Sequence, residues 1–163
     1  MPRIILSLLT ALLAFGLMAP AAAVQPSAGL DGVEQAKAVY QFNTGKPRKA
    51  AFMLKGVGKN FDALAEAGHD PDFVVVFAGP AVRLLTEEPP EKIANRHGDR
   101  LLAIEGTVEE LAEAGIRMEI CATALNAFDI DPESVLDGIQ PVPSGHQAII
   151  GWQNRGYALV PVL

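Results

Sequence analysis

The chain has 163 residues, half of them apolar and a fifth charged, and a formal charge of −6. That is the composition of one globular domain with a sizeable core. The acidic balance argues against nucleic acid and against anionic membrane surfaces as partners.

In chain order, the first element is a targeting signal. Met1-Pro2-Arg3 precedes an apolar run from Ile4 to Leu17 and then Met18-Ala19-Pro20-Ala21-Ala22-Ala23. A positive start, a hydrophobic stretch and a small-residue cut site predict a secretory signal peptide over 1–23, cleaved after Ala23 or Ala22. No second hydrophobic span follows, and a spanning helix takes about 20 apolar residues. The expectation is delivery to a bacterial periplasm with no membrane span after cleavage. Residues 24–36 read as a flexible lead-in and 37–163 as the domain.

Lys37 to Phe42 alternates in the manner of a strand and runs into a loop at Asn43-Thr44-Gly45. From Arg48 to Ala67, Leu54, Val57, Phe61 and Leu64 fall at helical spacing; Gly56 and Gly58 weaken that helix without forbidding it. Asp72 to Ala78 is a nearly continuous apolar run, typical of a strand covered on both faces. Gly79-Pro80 breaks it, and a short helix is expected over Ala81–Leu85. Glu87 to Glu91 reads as a solvated loop. Thr107-Val108-Glu109-Glu110 has capping-box spacing, so Thr107 is expected to cap a helix ending at Gly115, with the preceding stretch Asp99 to Glu105 also open to a helical reading. Ile116 to Ile120 is the next strand, with helix from Ala122 to Phe128. Asp131-Pro132 predicts a capped short helix, Ile139 to Val142 a strand, Ser144 a cap for a helix to about Arg155, and Tyr157 to Val162 the last strand. This alternation predicts an α/β fold with a mostly parallel sheet of about five strands and helices on both faces.

In such a sheet, ligands bind outside the carboxyl ends of the strands. The residues placed there are Asn43-Thr44, Gly79-Pro80, Cys121-Ala122-Thr123 and Ser144-Gly145-His146. Cys121 is the chain's single cysteine, so no internal disulfide is available. An odd cysteine in an exported protein is a buried passive thiol, an intermolecular bridge or a reactive group. Its position where a helix begins favours the thiolate. Burial as a small hydrophobe is the competing reading.

Among the histidines, His69 and His97 read as loop or polar-stretch residues. His146 lies at the same strand ends as Cys121 and could pair with it. Trp152, Gln153 and Tyr157 read as packing residues of the last helix, with partner contact as the alternative. No metal-ligand spacing, nucleotide-binding loop or hydrolase elbow is present. No cofactor is expected.

The segment from Gly115 to Leu125, centred on Cys121, is similar to the strand-to-helix cysteine segment of the DsrE family. Ile130-Asp131-Pro132-Glu133, Val142-Pro143-Ser144-Gly145 and Gln153-Asn154-Arg155-Gly156-Tyr157-Ala158 follow in the order found in exported and stand-alone DsrE-like proteins. Upstream, Phe52-Met53-Leu54-Lys55 with Asn60, and Gly79-Pro80-Ala81-Val82, resemble the family's first helix and second strand end. The resemblance implies a three-layer α/β/α fold and assembly as homo- or hetero-oligomers. It also implies that Cys121 occupies the position at which some relatives carry sulfur as a persulfide between donor and acceptor proteins. Many members carry a histidine just before the Gly-Pro; here that residue is Ala78.

The leading expectation is a periplasmic thiol protein that binds or relays sulfane sulfur on Cys121, sulfurtransferase-like at most. Gly79, Pro80, Thr123, Ser144, Gly145 and His146 would line the binding site. The alternative is a non-catalytic oligomeric module that holds a small ligand or a protein segment. An auxiliary subunit of an exported redox complex is a third reading.

Overall fold

A computed structural model describes residues 27–163; the signal-peptide reading of 1–23 lies outside them. Residues 27–31 belong to a separate small unit, a single 3₁₀ turn at Ala28–Leu30 capped by Ser27. Residues 32–163 form the α/β unit. Its strands are β1 (Gln35–Phe42), β2 (Asp70–Phe77), β3 (Arg117–Cys121), β4 (Ile139–Val142) and β5 (Ala158–Val162). Its α-helices are α1 (Pro47–Glu66), α2 (Glu91–Glu113), α3 (Ala122–Ala127) and α4 (Gly145–Asn154), with 3₁₀ turns at Gly79–Leu84 and Pro132–Ser134.

All the strand pairs are parallel, in the order β4-β3-β2-β1-β5. The chain steps one way across the sheet from β1 to β4, then crosses back to add β5 beside β1. Strand alternation divides the buried residues between the two faces. Tyr40, Phe42, Phe73, Val75, Phe77 and Ile120 join the larger core cluster, which α1, α2 and α3 cover with Leu54, Val57, Ile104, Val108 and Leu125. Val39, Val74 and Val76 face the other way and pack on Ile149 and Tyr157, with Trp152 alongside. Three helices therefore cover one face and α4 alone covers the other. Val74, Val75, Val76 and Phe77 are all fully buried, which is why β2 reads as an unbroken apolar run. Each edge strand contains a proline, Pro141 in β4 and Pro161 in β5. A proline cannot donate to a ladder, so both edges are poor templates for a further strand.

Several boundaries differ from the sequence expectation. β1 begins at Gln35, within the stretch read as lead-in. Glycine in α1 costs little because Gly58 lies where Leu111 of α2 comes close; a Cβ there would be 3.2 Å from Leu111 Cδ2. The expected short helix after β2 is a 3₁₀ turn starting at Gly79, whose φ of +53° suits glycine. Thr107 is not a helix cap. It sits inside α2, and its hydroxyl donates to the Ala103 carbonyl one turn back. The capping-box spacing was incidental, because the helix had already begun at Glu91 and is interrupted only by a kink at His97. Asp131 and Ser144 do cap, accepting from the Glu133 and Gln147 amides.

Both tyrosines of the chain sit in the α/β unit. Burial pushes Tyr40 above the ordinary 10.0, against a hydrogen bond from Asn60 that lowers it. Burial also raises Tyr157, aided by its hydrogen bond to Asp72. A raised value means that the folded state holds the phenol proton more tightly. The associated stability is fully present below the unfolded value and is lost as pH rises through the folded one. Urea unfolding is expected to show a lower midpoint at about pH 11 than at about pH 9. The double variant Tyr40→Phe/Tyr157→Phe should lose less over that interval, and equal losses would refute the assignment.

Candidate functional site

β3 passes into α3 without an intervening turn, so Cys121 is at once the last strand residue and the N-cap of the helix. Connections from β3 and β4 leave toward opposite faces, β3 to α3 on the larger core side and β4 to α4 on the other. In open parallel sheets, ligands bind at strand ends whose connections diverge in this way. Cys121 pairs with Val142 of β4, and Ser144-Gly145 follows Val142 after the single intervening residue Pro143. The geometry therefore joins two segments far apart in sequence. Thr123 reinforces the junction by donating its hydroxyl to the Pro143 carbonyl at 2.9 Å.

Gly145 is the close neighbour of the cysteine. A Cβ on it would lie 3.2 Å from the Cys121 Cβ and 3.2 Å from the Ala78 Cβ. The first turn of α4 thus seats directly on the cysteine, and the residue before Gly79-Pro80 enters the same contact. Cys121 is 7 % exposed and packs with the larger core cluster. Its sulfur accepts no hydrogen bond from the first turn of α3. The thiol is enclosed by small and aliphatic groups.

The other expected site residues take different places. Pro80 packs against the loop after β1, where a Cβ on Gly45 would come within 2.6 Å of the Pro80 Cβ. Asn43-Thr44 follows the end of β1, separated from Cys121 by β2. Asn43 Oδ1 is enclosed without a hydrogen-bond partner among the described residues. His146 lies exposed in the first turn of α4 and makes no hydrogen bond to Cys121, so the anticipated Cys–His pair is not formed. His69 binds the Val33 carbonyl at 2.6 Å, a local tie between loops. His97 marks the kink in α2. Among the described residues, no three His, Cys, Asp or Glu side chains are grouped to hold a metal ion.

A second feature lies on the α4 face of the sheet. Ser144, Gln147, Ala148, Gly151, Trp152 and Arg155 recur at helical spacing and form one wall of a cavity of about 270 Å³; Glu119, Val142 and Pro143 form the rest. Trp152 donates its indole N–H to Glu119 Oε2 at 3.1 Å. The guanidinium carbons of Arg117 and Arg155 lie 4.8 and 5.0 Å from its ring centroid. Arg117 in turn binds Asp72 at 2.6 Å and the Tyr157 hydroxyl at 2.7 Å, and that hydroxyl donates to Asp72 at 2.5 Å. Sequence reading placed Trp152 and Tyr157 as packing residues and passed over Glu119, Arg117 and Arg155. The available signal was charge on alternate residues of β3, Arg117 and Glu119, where a fully covered strand would carry apolar side chains.

The DsrE/DsrF-like family model matches residues 31–162. No curated protein matches the chain in sequence. Among solved structures, a protein of unknown function, MTH1491 from Methanobacterium thermoautotrophicum, is similar at 20% identity and a TM-score of 0.62, covering 78% of this chain and 99% of its own. The YchN protein from E. coli is similar at 14% identity and a TM-score of 0.46, with the same coverages.

Proposed function

The chain belongs to the DsrE/DsrF-like family, and from that premise we propose that it is an exported thiol protein that takes up and passes on sulfane sulfur at Cys121. One observation carries the reading. The single cysteine stands at the end of β3, where the β3 and β4 connections leave toward opposite faces of the sheet. The signal-like residues 1–23 support a periplasmic setting, and the resemblance to oligomeric relatives supports a homo-oligomer working with donor and acceptor proteins.

The chemistry is a thiol–persulfide exchange. The Cys121 thiolate attacks the terminal sulfur of a persulfide or polysulfide donor. A Cys121–S bond forms, the donor's S–S bond breaks, and the shortened donor leaves as a thiolate with the electron pair. The product is a persulfide on Cys121, with no net oxidation. An acceptor thiolate then attacks the outer sulfur of that persulfide and releases the Cys121 thiolate. The chain supplies the nucleophile, a helix start beside it, and apolar walls that keep water from the persulfide. With no hydrogen bond to the sulfur and α4 resting on the site, the cycle requires a local opening at Gly145.

The second reading, a non-catalytic binding module, draws on the burial of Cys121 and its lack of hydrogen bonds. Intact-mass measurement after incubation with inorganic polysulfide separates the two. Wild type is expected to gain the mass of one sulfur, removable by dithiothreitol, and Cys121→Ser to gain none. An unmodified wild type, at a pH where free cysteine reacts, would leave only the binding module.

A further inference from the structure

The cavity beneath α4 contains two opposite charges that do not meet. Glu119 points out of the sheet into it, half buried, and its hydrogen-bond partner is the neutral indole of Trp152. Arg155 stands at the C-terminal end of α4, its guanidinium against the same indole ring. Neither side chain forms an ion pair; the one ion pair among the described residues is Arg117–Asp72. A carboxylate held on a sheet face under a helix has lost part of its hydration, and a cationic partner would recover that loss. The space between the charges is kept open by Ala148 and Gly151, and nothing lies within 4 Å of where a Gly151 Cβ would be.

We propose that this cavity is a binding site for a small zwitterion, an α-amino acid or a short peptide. Its ammonium group sits on Glu119 and its carboxylate on Arg155. The free cavity volume, about 270 Å³, falls just below the range of about 300–1,000 Å³ typical of drug-sized ligands. It accommodates an amino acid or dipeptide. The indole edge and the aliphatic groups of Val142 and Ala148 supply the apolar surface, and Ser144 and Gln147 the remaining polar contacts. The site is separate from the thiol: Cys121 does not line the cavity, and the proposal stands whether or not Cys121 carries sulfur.

Trp152 is the chain's only tryptophan, so its emission reports on this cavity alone. The full chain is titrated with L-methionine and with L-alanyl-L-alanine. N-acetyl-methionine and methionine amide serve as controls, each lacking one of the two charges. A saturable change in Trp152 emission is expected with the zwitterions at concentrations up to about 10 mM, which registers even millimolar affinity. The single-charge controls should bind at least about tenfold more weakly, the equivalent of about 1.4 kcal/mol. Glu119→Gln keeps an acceptor for the indole and removes the charge; Arg155→Met keeps an aliphatic stem against the ring. Each variant should weaken the zwitterions by a similar factor while urea unfolding confirms that it is folded. Absence of a saturable signal in wild type overturns the proposal, as does equal binding of zwitterions and blocked analogues, or unchanged affinity in both variants.

Discussion

Gly145→Val is expected to raise the alkylation rate of Cys121 in the folded protein by about tenfold to a hundredfold. The first turn of α4 rests on the cysteine, with only 3.2 Å between the position of a Cβ on Gly145 and the Cβ atoms of Cys121 and Ala78. Val76 Cγ1 stands 3.5 Å away, so a branched side chain adds methyl groups beside three neighbours already in contact. Forcing extra carbon into a packed site costs about 1–3 kcal/mol. Here that strain falls on the closed arrangement and is relieved when α4 lifts from the thiol. Each 1.4 kcal/mol changes the open population tenfold, and a buried thiol reacts from the open state. Gly145→Ala, which needs a shift of only a few tenths of an ångström, should fall between wild type and valine. Iodoacetamide labelling followed by mass spectrometry measures the series. Rates that stay level across the three proteins would mean that α4 does not control access to Cys121, and the proposed opening step would go with it.

Phe77→Ala should be the most damaging single truncation for stability, at about 3–5 kcal/mol. Phe77 is 0 % exposed at the carboxyl end of β2, the middle strand of the sheet. Its ring meets Phe42 of β1 edge-to-face at a centroid distance of 5.4 Å, a contact worth about 0.5–1.5 kcal/mol beyond the area it buries. Its cavity would open under the strand ends that position Cys121. Leu102→Ala is the matched control. Leu102 is 68 % exposed on α2, and its loss should stay within about 0.5 kcal/mol. Urea denaturation of the two variants gives the comparison. A Phe77→Ala midpoint close to that of Leu102→Ala would mean that the larger core is not the principal source of stability.

The identity of most elements was legible because the periodicities were strong. The β2 run of Val74-Val75-Val76-Phe77 has few alternatives to a central parallel strand, and the Ser144 and Asp131 caps were readable because a cap acts on amides two or three residues away. Thr107 misled for the same reason. A side chain that can cap a helix can also turn back on the helix already behind it, and only the start of α2 sixteen residues earlier decides between the two. Ordering of the sheet was not legible. Local pattern shows that a strand exists and says nothing of its neighbours, so the crossing from β4 to β5 had no local signature.

The site divides along the same line. Cys121 at a strand-to-helix junction, Ser144 as a cap and the strand-end location of Gly145 are properties of short stretches, and the sequence alone determined them. Which segments meet is decided by long-range packing. The contact of Gly145 with Cys121 and Ala78 spans three strand ends. The separation of His146 from the thiol depends on the path of α4. The unpaired Glu119 and Arg155 share a cavity only because α4, leaving the β4 edge, crosses back over β3. Local structure follows from forces between residues a few positions apart, whereas a pocket is a coincidence of distant surfaces that exists only once the chain has closed on itself.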